Sequence, residues 1–305
     1  MKYGVFNDAH PVTKLVMVGF LMVTSYFIFL GLSIFIASLA FGASWDVISE
    51  LLEIKNFEDH VALLKFLQMA YSTGLFLVPA LLGSWLISGR AFDYLRLDRP
   101  SSVSKYIIVL LLMLSAIPLI NFLAQLNYSI PIPDRLGSIK EQILESEQDS
   151  ELMMDTFLNQ ESVKGLLVNL LMIALIPALG EEFLFRGLVQ RIFTEWTRNH
   201  HAGVWIGAVL FSLMHFQYYG LIPRILLGAC FGYMLVWSRS MWLPVLAHFI
   251  NNGVAVVFFH FYFNGSLKFD LDNIGAMDET YLYTLLSAVM VILFMSLLYA
   301  GKRTN

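Results

Sequence analysis

The sequence is poor in charge. Of its 305 residues, 14% are Asp, Glu, Lys or Arg, while 58% are hydrophobic. Soluble domains carry about 25% charged residues, so this chain lacks the polar surface to cover a globule in water. Lipid must be the solvent for much of it. The net charge is −4 and the basic residues are scattered rather than striped, which excludes an electrostatic footprint for nucleic acid. Cys230 is the single cysteine, so an internal disulfide and a cysteine-rich metal site are both excluded. There is no His-Glu-x-x-His, no Gly-x-Ser-x-Gly and no phosphate-cradling loop. Zincin, serine-hydrolase and nucleotide-dependent chemistries therefore lack their motifs. Internal repeats and low-complexity segments are also missing.

What is present is a series of long apolar runs. A span needs about 20 mainly apolar residues. Eight runs qualify, at about 15–41, 63–89, 106–127, 163–185, 202–217, 221–238, 241–261 and 280–300. The fifth and sixth are short. They predict an all-α polytopic membrane protein. The first run is too long for the apolar core of a cleaved signal and reads as an uncleaved span. The chain divides into 1–162 (three spans and a polar insertion), 163–261 (a helical core) and 262–305 (an outer loop and a final span).

Lysine and arginine accumulate on the cytoplasmic side of a membrane protein. Lys2 and Lys14 precede the first span, Arg90, Arg96, Arg99 and Lys105 follow the second, and Arg186, Arg191 and Arg198 follow the fourth. Arg239 follows the sixth, and Lys302 and Arg303 close the chain. The alternate connections, 42–62, 128–162 and 262–279, are acidic. This alternation predicts both termini inside. Arg224 is the exception, and can be accommodated by pointing into a polar cavity. Residues 128–162 space their apolar side chains helically, which predicts an amphipathic helix on the outer surface.

Ionised side chains at bilayer depth are costly and read as a functional site. Glu181 and Glu182 are such a pair, with Arg186 one turn on. Residues four apart share a helix face, so Glu182 and Arg186 can pair. Glu181 is rotated about 100° away and is left free to act as a base. Pro177 and Gly180 loosen the helix just before it. Two further motifs lie in apolar surroundings: Phe211 followed by His215, and His248 followed by Asn252. His248 and Asn252 share a face and could hold a developing oxyanion, or could equally tie neighbouring helices. Gly228 and Gly232 allow close helix approach. A carboxylate, two imidazoles and an amide within a membrane are the equipment of a hydrolase.

In these motifs, which fall between Val163 and about Val257, the chain resembles the CPBP family of CAAX proteases and bacteriocin-processing enzymes. The resemblance implies an eight-helix intramembrane endopeptidase whose catalytic core is 163–261, with a polar cavity open to the cytoplasm. It implies that Glu181 and His215 bind and activate a water and that His248 and Asn252 stabilise the oxyanion. Glu182, Arg186 and Phe211 would support the site. No cofactor is required by this scheme, although Glu181, His215 and His248 could supply three zinc ligands. The implied partners are a membrane-associated peptide or protein substrate and the bilayer, with a bacterial inner membrane suiting the acidic outer insertion. A non-proteolytic peptide-binding or immunity protein using the same cavity is the alternative. A proton-coupled transporter is disfavoured, because the broken helices do not recur in two matching halves.

One feature sits badly with this scheme. A fifth span that starts near Ala202 at the inner face carries His215 about 20 Å along it, whereas Glu181 and His248 belong nearer that face.

Overall fold

In the computed structural model the described residues are 4–52, 57–160, 162–268, 271, 273–276 and 280–301. They form α1 (Pro11–Phe41), α2 (Trp45–Leu52), α3 (Val61–Ser88) and α4 (Val103–Tyr128). Then come α5 (Ser138–Leu158), α6 (Val163–Thr197) and α7 (His200–Leu213). The last three are α8 (Leu221–Ser238), α9 (Trp242–Phe263) and α10 (Tyr281–Ala300). Among the described residues, seven helices are long and apolar enough to cross a membrane: α1, α3, α4, α6, α8, α9 and α10. The chain is a multi-pass membrane protein. The charges at Lys2, Lys302 and Arg303, Glu161 of the insertion, and the four acidic residues between 262 and 279, lie outside the described residues.

The fifth expected span is the exception. At 14 residues α7 is about 21 Å long, short of the roughly 30 Å hydrocarbon core. The fourth expected span differs in the other direction, because its helix does not stop at 185 but continues to Thr197. That extension resolves the mismatch in depth. Glu181 lies sixteen residues before Thr197, about 24 Å, and His215 lies fifteen after His200. Since α6 and α7 turn back on each other between those two ends, the residues come level.

The outer faces of α1 and α10 are apolar and exposed, as lipid requires: Phe20, Phe27 and Phe35 on one, Leu282, Leu285 and Ile292 on the other. The centre is α6. Every residue from Glu182 to Val189 is buried, and Leu184, Leu188 and Ile192 pack with Phe76, Ala80 and Val18 from α3 and α1.

Polar side chains repair the backbone where prolines break it. Pro118 interrupts α4: it gives the Leu114 carbonyl no N–H, and the next helical bond, from Leu119 N–H to Ser115, is opened and bridged by a side chain. Ser287 on α10 accepts from Leu119 N–H at 3.2 Å and donates to the Ser115 carbonyl at 2.5 Å. One hydroxyl thus satisfies both broken ends without water.

Candidate active site

Three departures from regular helix set the site. α6 contains π-helical turns at Leu170–Leu175 and Glu182–Val189, with Pro177 and Gly180 between them. α3 contains a third, Thr73–Leu77. Such turns often mark functional positions. A Cβ at Gly180 would stand 3.0 Å from Phe76 Cβ and 3.2 Å from the Leu77 backbone nitrogen, so a side chain there would crowd the α3 turn. The close approach expected at Gly228 and Gly232 is found too, against Ala208 and against Gln190 and Val204. Gln190 donates to the Gly232 carbonyl at 3.2 Å.

On this frame Glu182 is fully buried and Arg186 nearly so. Arg186 Nη1 donates to Glu182 Oε1 at 2.8 Å, and Arg186 Nη2 to the Gly228 carbonyl at 3.3 Å. The guanidinium also lies over the rings of Phe211 (4.4 Å) and Phe231 (5.4 Å). The i, i+4 pair expected from spacing is therefore formed. It has a third member that spacing did not reveal. His248 Nδ1 donates to the same Glu182 oxygen at 2.8 Å, and its Nε2 stands 3.9 Å from Glu181 Oε2. One imidazole thus joins the two adjacent carboxylates. Phe231 stacks on its face and Phe211 meets it edge-on. Glu181 Oε2 and Glu182 Oε2 are buried and make no hydrogen bond among the described residues, an arrangement that calls for an explanation in a native protein.

His215 follows α7, where the chain turns sharply at Phe216 with φ 51°, a strained conformation for a bulky residue. His215 Nδ1 is 3.0 Å from the Phe211 carbonyl. A carbonyl only accepts, so Nδ1 carries the proton and Nε2 is left as a lone pair. Phe211 also packs edge-on against this ring at 5.1 Å. It is therefore the common wall of both histidines and the arginine.

Asn252 has a structural duty. Pro177 has no N–H to give the Ile173 carbonyl four residues back, and Asn252 Nδ2 donates to that carbonyl at 2.9 Å. Its oxygen accepts from Asn251 at 3.0 Å. The helix-tying bond that was one reading of the pair is formed, and the amide keeps a second N–H.

Glu181, His215, His248 and Asn252 all line one cavity of about 500 Å³. Glu182 and Arg186 lie behind it. Arg224 lines it as well, its guanidinium held on the Gln217 side chain at 2.6 Å and on the Gln217 carbonyl at 2.8 Å. This is the inward position that its place in the charge pattern required. Of Phe183, Phe185, Phe211 and Phe216, Phe211 alone lines the cavity, together with Phe157, Phe231 and Phe259. Phe183 and Phe185 belong to the core, and Phe216 is 75% exposed.

The polar insertion is closer to the chemistry than an amphipathic surface helix would be. Met154, Phe157 and Leu158 of α5 form part of the cavity wall. The end of α5 is stapled by Lys65, which donates to the Phe157 carbonyl (2.9 Å) and to Asn169 Oδ1 (2.7 Å), while Asn169 donates to the same carbonyl. A buried cation is well placed against the negative end of a helix. Glu147 accepts from Tyr219 N–H and His260 donates to the Gln160 carbonyl, tying the insertion at two more points. Lys65, Asn169 and Gln217 were not singled out from sequence, and Asn251, set aside as rotated off the face of His248 and Asn252, lines the cavity too. The signal for the first two was a lone polar residue within an apolar run.

The cavity lies towards the acidic insertion, Gln217 and the far half of α9 at Phe259. The basic connections lie at the other ends of these helices. A cavity open to the cytoplasm and a cytoplasmic location of the basic loops cannot both hold.

The donor types at Glu181, His215 and His248 are those zinc accepts. Among the described residues, however, no three His, Cys, Asp or Glu side chains stand close enough to hold one ion.

Residues 163–254 match the family model described as type II CAAX prenyl endopeptidase Rce1-like. The CPBP resemblance holds. Three relatives overlap the chain. "Uncharacterized protein YpbD" of Bacillus subtilis (strain 168) is 29% identical over 90 residues, 28% of this chain and 43% of that protein. "Uncharacterized 24.3 kDa protein" of Escherichia coli is 29% identical over 119 residues, 36% of this chain and 52% of that one. "Putative membrane peptidase YdiL" of Bacillus subtilis (strain 168) is 22% identical over 121 residues, 40% of this chain and 48% of that one. The chain spans about half the length of these curated relatives. No solved structure matches it significantly.

Proposed function

We propose that the chain is an intramembrane endopeptidase that hydrolyses a peptide bond of a membrane-associated or hydrophobic substrate through a glutamate-activated water. The observation that carries this reading is the division of labour between the two carboxylates. Glu182 is committed to Arg186 and His248, while Glu181 lines the cavity and makes no hydrogen bond among the described residues.

Charge counting supports it. Glu181 and Glu182 bring two negative charges, and Arg186 brings one positive charge. Arg224, on the same cavity, brings a second, so the four groups are neutral with both carboxylates ionised, the state a base requires. In the proposed cycle Glu181 is a carboxylate able to act as base, and His248 presents Nε2–H as a donor. Water held by Glu181 and by the lone pair on His215 Nε2 attacks the substrate carbonyl carbon, and its proton passes to Glu181. The developing oxyanion receives the His248 Nε2–H and the second Asn252 N–H. On collapse the C–N bond breaks, and the proton on Glu181 goes to the leaving nitrogen. Arg186 and Glu182 act through His248 and are positioning residues. The similarity to a family described as a CAAX prenyl endopeptidase and to a protein named as a membrane peptidase favours peptide bonds over other acyl substrates.

The test is comparative proteomics of membrane peptides from cells carrying the protein or its Glu181→Gln variant. Loss of defined cleavage products, with the variant folded and membrane-bound, supports the proposal. Retained cleavage would reject it, and an unchanged biological effect without cleavage would favour the peptide-binding or immunity alternative. Zinc removal by a chelator, followed by the same assay, decides whether a metal takes part.

A further inference from the structure

A second cavity, of about 300 Å³, opens at the opposite end of the helices. It is lined by Arg96, which follows the single helical turn Ala91–Tyr94, by Arg191 on α6 and by Arg239 after α8, with Arg186 at its inner wall. No carboxylate lines it. The acids nearby are engaged elsewhere: Glu195 with Lys14 at 2.8 Å, Asp93 with Arg90 at 3.1 Å, and Glu182 with Arg186. Arg191 is fixed by the Tyr94 carbonyl at 2.7 Å and by the Tyr94 ring at 3.7 Å. Arg96 uses one donor on the Leu235 carbonyl at 3.4 Å. The Arg239 side chain is exposed and makes no hydrogen bond or ion pair among the described residues. Burial and the positive charges of Arg191, Arg99 and Arg239 push the pKa of the Arg96 guanidinium down. The cations are therefore held together without a counter-charge, against their mutual repulsion.

The depth of this pocket is marked by aromatics. Trp242 follows the pocket residue Met241, is 37% exposed and anchors on the Leu97 carbonyl. Trp196, at 47% exposure, lies five residues past Arg191. Tryptophans at helix ends sit at headgroup level, where basic pockets between helices hold anionic headgroups. Arginine forks suit phosphate oxygens in particular.

We propose that the pocket bounded by Arg96, Arg191 and Arg239 binds the phosphate group of a net-anionic ligand, presented as a lipid headgroup or as a free phosphate. This site is separate from the cavity that contains Glu181, and its existence does not depend on the proteolytic reading.

The test uses the full chain in detergent micelles, with thermal unfolding followed during titration with dioctanoyl phosphatidylglycerol, dioctanoyl phosphatidylcholine or inorganic phosphate. Phosphatidylglycerol should stabilise the wild type, with an apparent affinity about tenfold weaker in Arg239→Gln and in Arg96→Gln, and restored in Arg239→Lys. Arg99→Gln, outside the pocket, should bind as the wild type does. The same pattern with inorganic phosphate alone assigns the ligand to the soluble phase. Equal stabilisation by phosphatidylcholine, equal affinity in folded Arg239→Gln and Arg96→Gln, or no stabilisation by either anion overturns the proposal. A variant whose unliganded melting temperature falls is replaced in this comparison by the other.

Discussion

Removing one partner of the buried Glu182–Arg186 pair should be far more damaging than removing both. Glu182 is 0% and Arg186 1% exposed. Arg186→Met leaves a carboxylate with only His248 for company. Glu182→Gln leaves a guanidinium between two phenylalanine rings and the Gly228 carbonyl. Breaking a buried pair in this way costs about 3–5 kcal/mol, whereas replacing both charges is often close to neutral. For a chain of this size each kcal/mol shifts the melting temperature by about 2 °C, so each single variant should lose about 6–10 °C. The double variant should lose several degrees less than the two singles added together. The assay is thermal unfolding in detergent followed by tryptophan fluorescence. Strict additivity, or an Arg186→Met protein melting within about 1 °C of the wild type, would refute the view that these charges hold one another in a dry interior.

Other outcomes follow from single contacts. Asn252→Ala should cost about 1–3 kcal/mol by orphaning the Ile173 carbonyl. Pro177→Ala in the same chain should recover part of that loss, because residue 177 regains an N–H; no recovery in the melting temperature would count against the pairing. Gly180→Val should destabilise by about 1–3 kcal/mol through collision with Phe76 and the Leu77 backbone, read in the same way. With the basic connections cytoplasmic, as the charge pattern predicts, the cavity would face the non-cytoplasmic side. In intact cells an impermeant maleimide should therefore label Ser138→Cys but reach Arg99→Cys only after permeabilisation, and the reverse result would place the cavity on the cytoplasmic side.

The fold was legible wherever lipid imposes one rule on a whole segment. Apolar runs had to be helices, because no other open segment satisfies its backbone in hydrocarbon. Helix length was less legible. α6 runs past 185 because Glu182, Arg186 and Gln190 are satisfied by Gly228, Gly232 and His248, which lie far away in sequence. Polarity alone reads such residues as the end of a span. α7 was overestimated for the opposite reason: its apolar composition continues past the helix end at Leu213, through Met214 and Phe216. The insertion was read as amphipathic from its spacing. Its tertiary role depends on Lys65 and Asn169, two single residues whose common target, the Phe157 carbonyl, no pattern encodes.

At the site, composition and helical phase gave residue identities, and topology gave the connections between them. The 100° offset between Glu181 and Glu182 was enough to separate a paired carboxylate from an unpaired one. It could not show that His248 would touch both. That contact requires α9 to enter level with α6, and the chain enters α9 beside Gly187, where an added Cβ would meet Leu95 first and lie 3.3 Å from the Met241 methyl group. From Gly187 back to Glu181 is six residues, and from Met241 on to His248 is seven, so both ascend about 10 Å from a shared contact. The two carboxylates and the imidazole meet because two helices start counting from the same point. A bulkier residue at 187 would press on Leu95 first and on the Met241 methyl group next, before it disturbed any group in the cavity.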